Sequence, residues 1–246
     1  MTTLDERLRL RPDTRSIGAV LAELAIRPTR VWGLTFELPR GVVRRRTRRR
    51  IRRGSYEQPE ARAVAALVDP SVPMLELGGG TGVLSCLIAS LLPPTTPHVV
   101  VEGNAHAFSM LERNRDRNGF DFEAVHGMVD YPRSGDPAKA GARAWGPGHQ
   151  VRATDASAGR PVTLRGLLEE RGWDRCNLLM DIEGAEVGLI EAEAEILRDR
   201  VASLVVELHP KEGGPEVAAA TLRRILDTGL ELVSIDATVF GFRAAR

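Results

Sequence analysis

Two pairs of side chains that could do acid–base chemistry stand in the second half of the chain, each with a spacing of two residues. The pairs are Asp181 with Glu183 and Glu207 with His209. Each pair lies at the carboxyl end of an apolar run that predicts a buried strand, and residues two apart on a strand point to one side of a sheet. An imidazole titrates nearest to neutral pH, so we expect His209 to act as a general base. Asp181 and Glu207 would then orient the base or an acceptor, with Glu183 as a fourth catalytic candidate.

These residues also allow simpler interpretations. Two carboxylates and an imidazole could hold a divalent cation such as Mg²⁺, but no compact ligand motif marks such a site, and a metal is not favoured. Glu183 and Glu186 could serve as favourable charges at a helix N-terminus. His209 could be a strand-end histidine satisfied by backbone groups.

A glycine-rich turn lies earlier in the chain and predicts a nucleotide site. Glu76 ends an apolar strand, and glycines follow alternately at positions 78, 80 and 82 before the next predicted helix. A dinucleotide fingerprint starting at Gly78 would need glycine at position 83, which is Val. The alternating spacing suits a methionine-derived nucleotide better, since such a ligand has no pyrophosphate and its ammonium group favours a nearby carboxylate.

The elements around this turn alternate between strands and helices, which predicts an α/β fold with a doubly wound, mostly parallel sheet. Seven strands are expected, at residues 73–77, 98–102, 122–129, 176–180, 203–208, 230–236 and 238–243, the last two forming an antiparallel pair. Helices are expected at 56–68, 83–92, 105–118, 164–171, 185–198 and 215–228. Ligands of such sheets bind beyond the carboxyl ends of the strands. The residues expected there to bind the nucleotide are Glu76, Gly78, Gly80, Gly82, Glu102, Met128, Asp130 and Asp181.

Charge divides the chain into two parts. Residues 1–53 carry 15 Arg and 5 acidic residues, a net charge of +10, whereas residues 54–246 carry a net charge of −9. We therefore expect an Arg-rich N-terminal extension at 1–53, with a helix at 17–26 and an extended arm at 31–39, and one catalytic domain at 54–246. Between 131 and 161 many Gly and Pro residues predict a lid or hairpin insertion. The Arg block at 44–53 could bind a polyanion, contact an acidic partner, mediate self-association or form a solvated helix on the acidic body.

Other classes of protein are disfavoured by composition. The two cysteines, Cys86 and Cys176, form neither a disulfide framework nor a metal cluster. No apolar run approaches the ~20 residues that a membrane span needs, and no signal-like segment is recognisable, so a cytoplasmic location is expected.

From about residue 56 to residue 242 the chain resembles the FkbM-type family of class I S-adenosylmethionine-dependent methyltransferases. The resemblance rests on the segments Glu76–Gly82, Val101–Asn104, Leu111–Gly119, Met180–Glu186 and Val206–Pro210, of which Asp-Ile-Glu-Gly-Ala-Glu at 181–186 is the most specific. It implies a Rossmann-like fold, S-adenosylmethionine as cofactor with S-adenosylhomocysteine as product, and methylation of a hydroxyl group on a small molecule, natural product or sugar.

Two other functions remain open. One is a nucleic-acid methyltransferase that uses the Arg-rich segment for phosphate contacts, which is less favoured because no Asn-Pro-Pro-aromatic motif follows the fourth strand. The other is a non-catalytic nucleotide-binding scaffold whose basic segment recruits a partner.

Overall fold

The structure is a computed structural model that describes residues 28–40, 43–131, 159–209 and 214–245. The helix expected at 17–26 and most of the insertion expected at 131–161 lie outside the described residues. The strands are β1 (Thr29–Val31), β2 (Leu34–Phe36), β3 (Met74–Leu77), β4 (His98–Glu102), β5 (Glu123–Val129), β6 (Arg160–Val162), β7 (Cys176–Met180), β8 (Val201–Glu207), β9 (Leu230–Asp236) and β10 (Val239–Ala244). The helices are α1 (Arg45–Arg52), α2 (Gln58–Leu67), α3 (Val83–Ala89), α4 (Ala105–Arg117), α5 (Leu164–Glu169), α6 (Glu186–Ala192), α7 (Ala194–Arg200) and α8 (Gly214–Asp227).

Eight of these strands form one sheet in the order β6-β5-β4-β3-β7-β8-β10-β9. The pairs from β6 to β8 are parallel, and β10 is antiparallel to both of its neighbours. This confirms the doubly wound, mostly parallel sheet. The strand order reverses between β3 and β7, so the carboxyl ends of β3, β4 and β7 meet where such sheets bind ligands.

The expected number of seven strands is corrected to eight by β6, a three-residue edge strand paired with β5. Its sequence, Arg160-Pro161-Val162, has one buried residue, Val162, and contains a proline. Proline removes a backbone donor and is tolerated in a sheet mainly at its edge. So short a segment gives almost no periodic signal.

Two layers of helices cover the sheet. One hydrophobic cluster includes Leu75 and Leu77 of β3 with apolar residues of α5 to α8, and the other includes Met74 with residues of α2, α3 and α4. The alternation along β3 sends Glu76 to the same side as Met74. The helix expected at 185–198 is divided into α6 and α7 at Glu193.

The described part of the basic segment packs on this body. β1 and β2 form a hairpin whose turn residues, Trp32 and Gly33, both have positive φ values of 55° and 81°. Phe36 of the hairpin and Ile51 of α1 are fully buried in the cluster that contains α2 and α3. The change of charge at residue 53 is therefore not a boundary in packing for these residues.

None of the helices within the described ranges is long and apolar enough to cross a membrane.

Candidate active site

A cleft opens at the carboxyl ends of β3, β4, β5 and β7. It encloses about 790 Å³ when the space at its open mouth is included. Its apolar wall comes from Val101, Ala107, Met128, Val129 and Ile182. Its polar wall comes from Tyr56, Glu57, Glu102, Asn104, Asp181 and Glu183, and glycines 78, 80, 103 and 127 complete the lining together with Ala185.

The glycine turn after β3 requires residues without a side chain. Gly78, Gly80 and Gly82 have φ values of 95°, 54° and 77°, in the region that favours glycine. A Cβ atom on Gly78 would lie 1.8 Å from the backbone oxygen of Asp181. Gly78 therefore allows the ends of β3 and β7 to approach each other, and this approach brings Asp181 to the wall of the cleft.

Most backbone donors of the turn are already bound within the protein. The N–H groups of Gly78 and Gly79 donate to the carbonyl of Val101 at 2.9 and 3.0 Å, and that of Gly82 donates to Gly79 at 2.9 Å. The N–H of Gly80 donates to Glu102 Oε2 at 2.7 Å. The turn is therefore not an open cradle of N–H groups of the kind that binds a phosphate.

Glu102, at the end of β4, anchors this part of the cleft. Its Oε1 accepts the N–H of Asn104 at 2.6 Å while Oε2 accepts that of Gly80. Burial raises the pKa of Glu102 to about 7, although these backbone hydrogen bonds oppose the shift. Asn104 caps α4 with its side chain, which accepts from His106 and Ala107 and fixes the start of that helix beside the cleft.

Five of the residues expected to bind the nucleotide line the cleft: Gly78, Gly80, Glu102, Met128 and Asp181. The expectation for Glu76 is corrected, because its side chain is only 1% exposed and does not line the cleft. Its Oε1 accepts from the Ser85 hydroxyl at 2.7 Å, and Oε2 lies 3.4 Å from His98 Nε2. Glu76 therefore contacts Ser85 and His98 in the protein interior rather than a ligand in the cleft.

Gly82 and Asp130 also lie outside the lining. A Cβ atom on Gly82 would meet Leu111 of α4 at 3.0 Å, so this glycine permits close packing of two helices rather than contact with a ligand. The Asp130 carboxylate accepts the N–H of Tyr131 at 2.9 Å, next to Val129 of the cleft wall. Asp130 thus lies at the predicted end of its strand, but it does not belong to the described residues that line the cleft.

The four predicted catalytic residues come together. His209 Nε2 lies 3.7 Å from Asp181 Oδ1, 3.7 Å from Glu183 Oε2 and 3.7 Å from Glu207 Oε2. We call these four residues with Glu186 the carboxylate–histidine cluster. Asp181 and Glu183 line the cleft as well, so the cluster forms part of its wall.

Glu186 holds the cluster in place. Its Oε1 accepts the N–H of Ile182 at 2.9 Å and contacts His209 Nδ1 at 3.1 Å, and its Oε2 accepts the N–H of Gly184 at 2.8 Å. These contacts fix a loop in which Glu183 has a φ of 53°, which is uncommon for a residue other than glycine. The helix-terminus interpretation therefore describes Glu186, whereas Glu183 instead faces His209.

The charged groups around His209 raise its pKa, which contradicts the expectation that His209 acts as a general base. Burial lowers the pKa of His209, but the hydrogen bond and charge of Glu186 and the charges of Asp181 and Glu207 outweigh it and raise the pKa to about 9. At neutral pH the ring is therefore an imidazolium, which cannot accept a proton. Burial and the charges of Glu207 and Glu57 raise the pKa of Asp181 well above its ordinary value, and Asp181 Oδ1 is shielded without a hydrogen-bond partner.

Sequence reasoning missed two acidic residues and one tyrosine near the cleft. Tyr56 and Glu57 line it, and Glu57 precedes α2 with a left-handed φ of 48°. Burial and the neighbouring Glu207 raise the pKa of the third residue, Glu60, to about 7. More than 100 residues separate Glu57 from Asp181, so no local pattern could have revealed their proximity.

The basic helix α1 lies beside this acidic region. The charge of Arg50 lowers the pKa of Glu60 and that of Arg44 lowers the pKa of Glu183, each against the raising effect of burial. Arg50 also stands 5.7 Å from the centre of the Tyr56 ring. The basic segment thus contacts the acidic part of the same chain.

Comparisons with known proteins give similarities of structure only. No family model matches the chain, so the FkbM assignment stays a prediction, and no curated protein sequence matches it. A methyltransferase from Pyrococcus furiosus is similar with 13% identity and a TM-score of 0.46, over 87% of this chain and 90% of that one. Fibrillarin from Aeropyrum pernix with natively bound S-adenosyl-L-methionine is similar with 12% identity and a TM-score of 0.43, over 76% and 74%.

A third similar structure is precorrin-6y C5,15-methyltransferase from Geobacter metallireducens, with 12% identity and a TM-score of 0.45 over 78% of this chain and 90% of that one. Identities and TM-scores this low do not identify a function. The activity has to be derived from the geometry of the cleft itself.

Proposed function

We propose that this protein is an S-adenosylmethionine-dependent methyltransferase that methylates a hydroxyl oxygen. The observation that carries the proposal is the charge of the cleft. Four carboxylates, those of Glu57, Glu102, Asp181 and Glu183, belong to its lining, and the lining residues within the described ranges include no Lys or Arg. Such a cleft favours a cationic ligand and disfavours a pyrophosphate, which needs positive charge or free N–H groups.

S-adenosylmethionine matches this requirement. It is a nucleoside that carries a sulfonium, an ammonium and one carboxylate, so its net charge is positive at neutral pH. NAD carries two phosphate charges that would face Glu102 beside a turn whose donors are mostly used. The glycine spacing already disfavoured a dinucleotide, and the hydrogen bonds of the turn disfavour it further, because most of its N–H groups donate within the protein.

The two walls of the cleft suit the two ends of the cofactor. Glu102 is the acceptor available for ribose hydroxyls, and the apolar side chains of Met128 and Val129 suit a flat adenine ring. The methionine end would then extend along Gly78 and Gly80 toward Asp181. The carboxylates at that end offset the positive charges of the ammonium and sulfonium groups.

Methyl transfer needs an aligned acceptor and an outlet for its proton. The hydroxyl oxygen forms a bond to the methyl carbon while the carbon–sulfur bond breaks, and S-adenosylhomocysteine leaves as a neutral thioether. We assign the hydroxyl proton to Asp181, because it lines the cleft and has a buried oxygen without a partner. His209, held as an imidazolium, would then be a positioning residue.

The resemblance to FkbM-type enzymes supports a small molecule, natural product or sugar as acceptor. A nucleic-acid acceptor is less favoured, because arginines 44 and 50 of the basic segment act electrostatically on carboxylates of the same chain. A scaffold without catalysis would have no use for the buried, unpartnered oxygen of Asp181 beside the cleft.

Calorimetric titration of the full chain tests the cofactor. We expect S-adenosylhomocysteine to bind and NAD to give no heat of binding. Glu102→Gln should weaken S-adenosylhomocysteine, whereas Glu193→Gln, at a buried carboxylate outside the cleft, should not. Binding of NAD alone would refute the proposal. Transfer of labelled methyl groups to a panel of hydroxylated compounds then tests the oxygen acceptor, and methylation confined to amines or nucleic acids would contradict it.

A further inference from the structure

The ammonium group of the proposed cofactor needs a negative partner that Glu76 does not supply. Glu76 was expected in the cleft, but its side chain is 1% exposed and contacts Ser85 and His98 in the interior. Removing an ammonium group from water is costly unless a charge or a hydrogen-bond acceptor compensates it. Another residue of the cleft has to take this role if the proposed cofactor binds.

Three of the four carboxylates in the cleft lining already have partners in the protein. The two oxygens of Glu102 each accept a backbone N–H group. Asp181 Oδ1 and Glu183 Oε2 each lie 3.7 Å from Nε2 of His209, which is an imidazolium at neutral pH. These three groups are therefore neutralised or bound in part before any ligand enters.

Glu57 is the fourth carboxylate, and it faces the cleft without a cation among its strongest influences. Burial raises its pKa most, followed by neighbouring carboxylates, those of Glu60, Glu76 and Glu207. Only the hydrogen bond with the Tyr56 hydroxyl opposes these effects. A positive charge beside a carboxylate favours its ionised form, so an ammonium group bound to Glu57 would lower this pKa and share the charge.

The local structure holds Glu57 at the cleft wall. Glu57 precedes α2, but its side chain makes no capping hydrogen bond to that helix. Its φ of 48° is uncommon for a residue other than glycine, and such strain persists only where the surroundings maintain it. Tyr56, which is 2% exposed, hydrogen-bonds to Glu57, and the Arg50 guanidinium stands 5.7 Å from the centre of its ring. Helix α1 thus contributes to the position of Glu57.

Glu57 also lies at the end of the cleft where the methionine part of the cofactor would be. Its charge is one of those that raise the pKa of Asp181, so the two carboxylates are near each other. Under the proposed function the methionine part extends along Gly78 and Gly80 toward Asp181. An ammonium group placed there would come close to Glu57.

We propose that Glu57 binds the ammonium group of the methionine part of the cofactor, in the role that the sequence assigned to Glu76. This inference rests on the proposed function. The negative partner of the ammonium group then comes from the segment between α1 and α2 rather than from the end of β3. Asp181 stays available for the proton of the acceptor hydroxyl.

The test is calorimetric titration of the full chain with two ligands that differ only at the proposed contact. They are S-adenosylhomocysteine and its deaminated analogue, which keeps the nucleoside, the thioether and the carboxylate but lacks the ammonium group. We expect the wild type to bind S-adenosylhomocysteine at least about tenfold more tightly, because removing one partner of a buried charge pair costs that much or more. Glu57→Gln should weaken the binding of S-adenosylhomocysteine without weakening that of the analogue.

Glu183→Gln is the matched control, because it removes the same charge from the same cleft at a carboxylate that faces His209. It should keep most of the preference for S-adenosylhomocysteine. Thermal unfolding of each variant establishes that it is folded, and the comparison of the two ligands in the wild type needs no variant.

Three outcomes would overturn the assignment. A wild type that binds both ligands equally would show that no carboxylate recognises the ammonium group, and an unchanged preference in Glu57→Gln would exclude Glu57. An equal loss of preference in Glu57→Gln and Glu183→Gln would show that the overall charge of the cleft selects the ligand. Each of these leaves the proposed cofactor intact, whereas a wild type that binds neither ligand would refute the proposed function as well.

Discussion

Replacing Gly78 by Ala tests whether the close approach of β3 and β7 builds the cleft. Gly78 has a φ of 95°, and its Cβ atom would lie 1.8 Å from the backbone oxygen of Asp181. That oxygen belongs to the loop that Glu186 holds through two backbone N–H groups. The added Cβ atom and the Asp181 oxygen are both attached directly to the backbone, so the clash can be relieved only by moving the backbone.

The expected cost has two parts. A left-handed conformation costs a residue other than glycine about 1–2 kcal/mol. Forcing a carbon atom against well-packed neighbours costs about 1–3 kcal/mol more. We therefore expect Gly78→Ala to lower the free energy of unfolding by about 2–5 kcal/mol. It should also weaken S-adenosylhomocysteine binding, because the displaced strand end carries Asp181.

Gly80→Ala is the matched control for strain without a clash. Gly80 has a φ of 54° in the same turn, but its Cβ atom would meet no other atom within 4 Å. Only the conformational cost of about 1–2 kcal/mol applies. Urea unfolding of both variants without cofactor gives the comparison. Equal loss of stability in the two variants would show that contact with Asp181 does not constrain Gly78.

Three further predictions concern other parts of the site and fold. Burial raises the pKa of Glu102 from 4.5 to about 7, so protonation stabilises the folded state below pH 4.5, and this contribution of about 1–3 kcal/mol is lost as pH rises through 7. Urea unfolding between pH 5 and 8.5 should show a loss of stability that is larger in the wild type than in Glu102→Gln by that amount, since Glu60 contributes a similar loss in both; parallel profiles would contradict it. Phe36→Ala should lower the free energy of unfolding by about 3–5 kcal/mol, because Phe36 is fully buried, whereas Ile235→Ala, at a side chain 63% exposed, should change it by less than about 0.5 kcal/mol. A negligible effect of Phe36→Ala would mean that the basic segment is not part of the folded body. Asp181→Asn should abolish methyl transfer, because an amide cannot accept the hydroxyl proton that we assign to Asp181; turnover at the wild-type rate in a labelled-methyl assay would contradict that assignment.

Continuous apolar runs made parts of the fold predictable. The strands expected at 98–102 and 176–180 have those bounds in the structure, because Val-rich and Leu-rich runs between turn signals predict buried strands. The edge strand β6 was missed because three residues with one proline carry no period. The helix expected at 185–198 is interrupted at Glu193, although its apolar positions continue on both sides.

The sequence predicted which residues of the cluster meet, but it did not predict their protonation states. The sequence brought Asp181, Glu207 and His209 to neighbouring strand ends, and they do lie together. The pKa of His209 could not be inferred from the sequence, because it depends on the contact between Nδ1 and Glu186, which lies 23 residues earlier in the chain. Glu76 was expected in the cleft because it ends its predicted strand, yet the alternation along β3 places its side chain on the same face as Met74, where it accepts a hydrogen bond from Ser85.

The clustering of carboxylates at one edge of the sheet explains why the charge of the chain is divided as it is. Burial raises the pKa values of Glu57, Glu102 and Asp181, so keeping these groups together costs stability without positive charge nearby. The basic segment supplies part of that charge through Arg44 and Arg50, which lower the pKa values of Glu183 and Glu60. The imidazolium of His209 supplies a further positive charge, and under the proposed function the sulfonium cofactor would supply another in the cleft. On this reasoning the basic segment is an electrostatic counterpart of the site, and binding of the proposed cationic cofactor would stabilise the folded protein further.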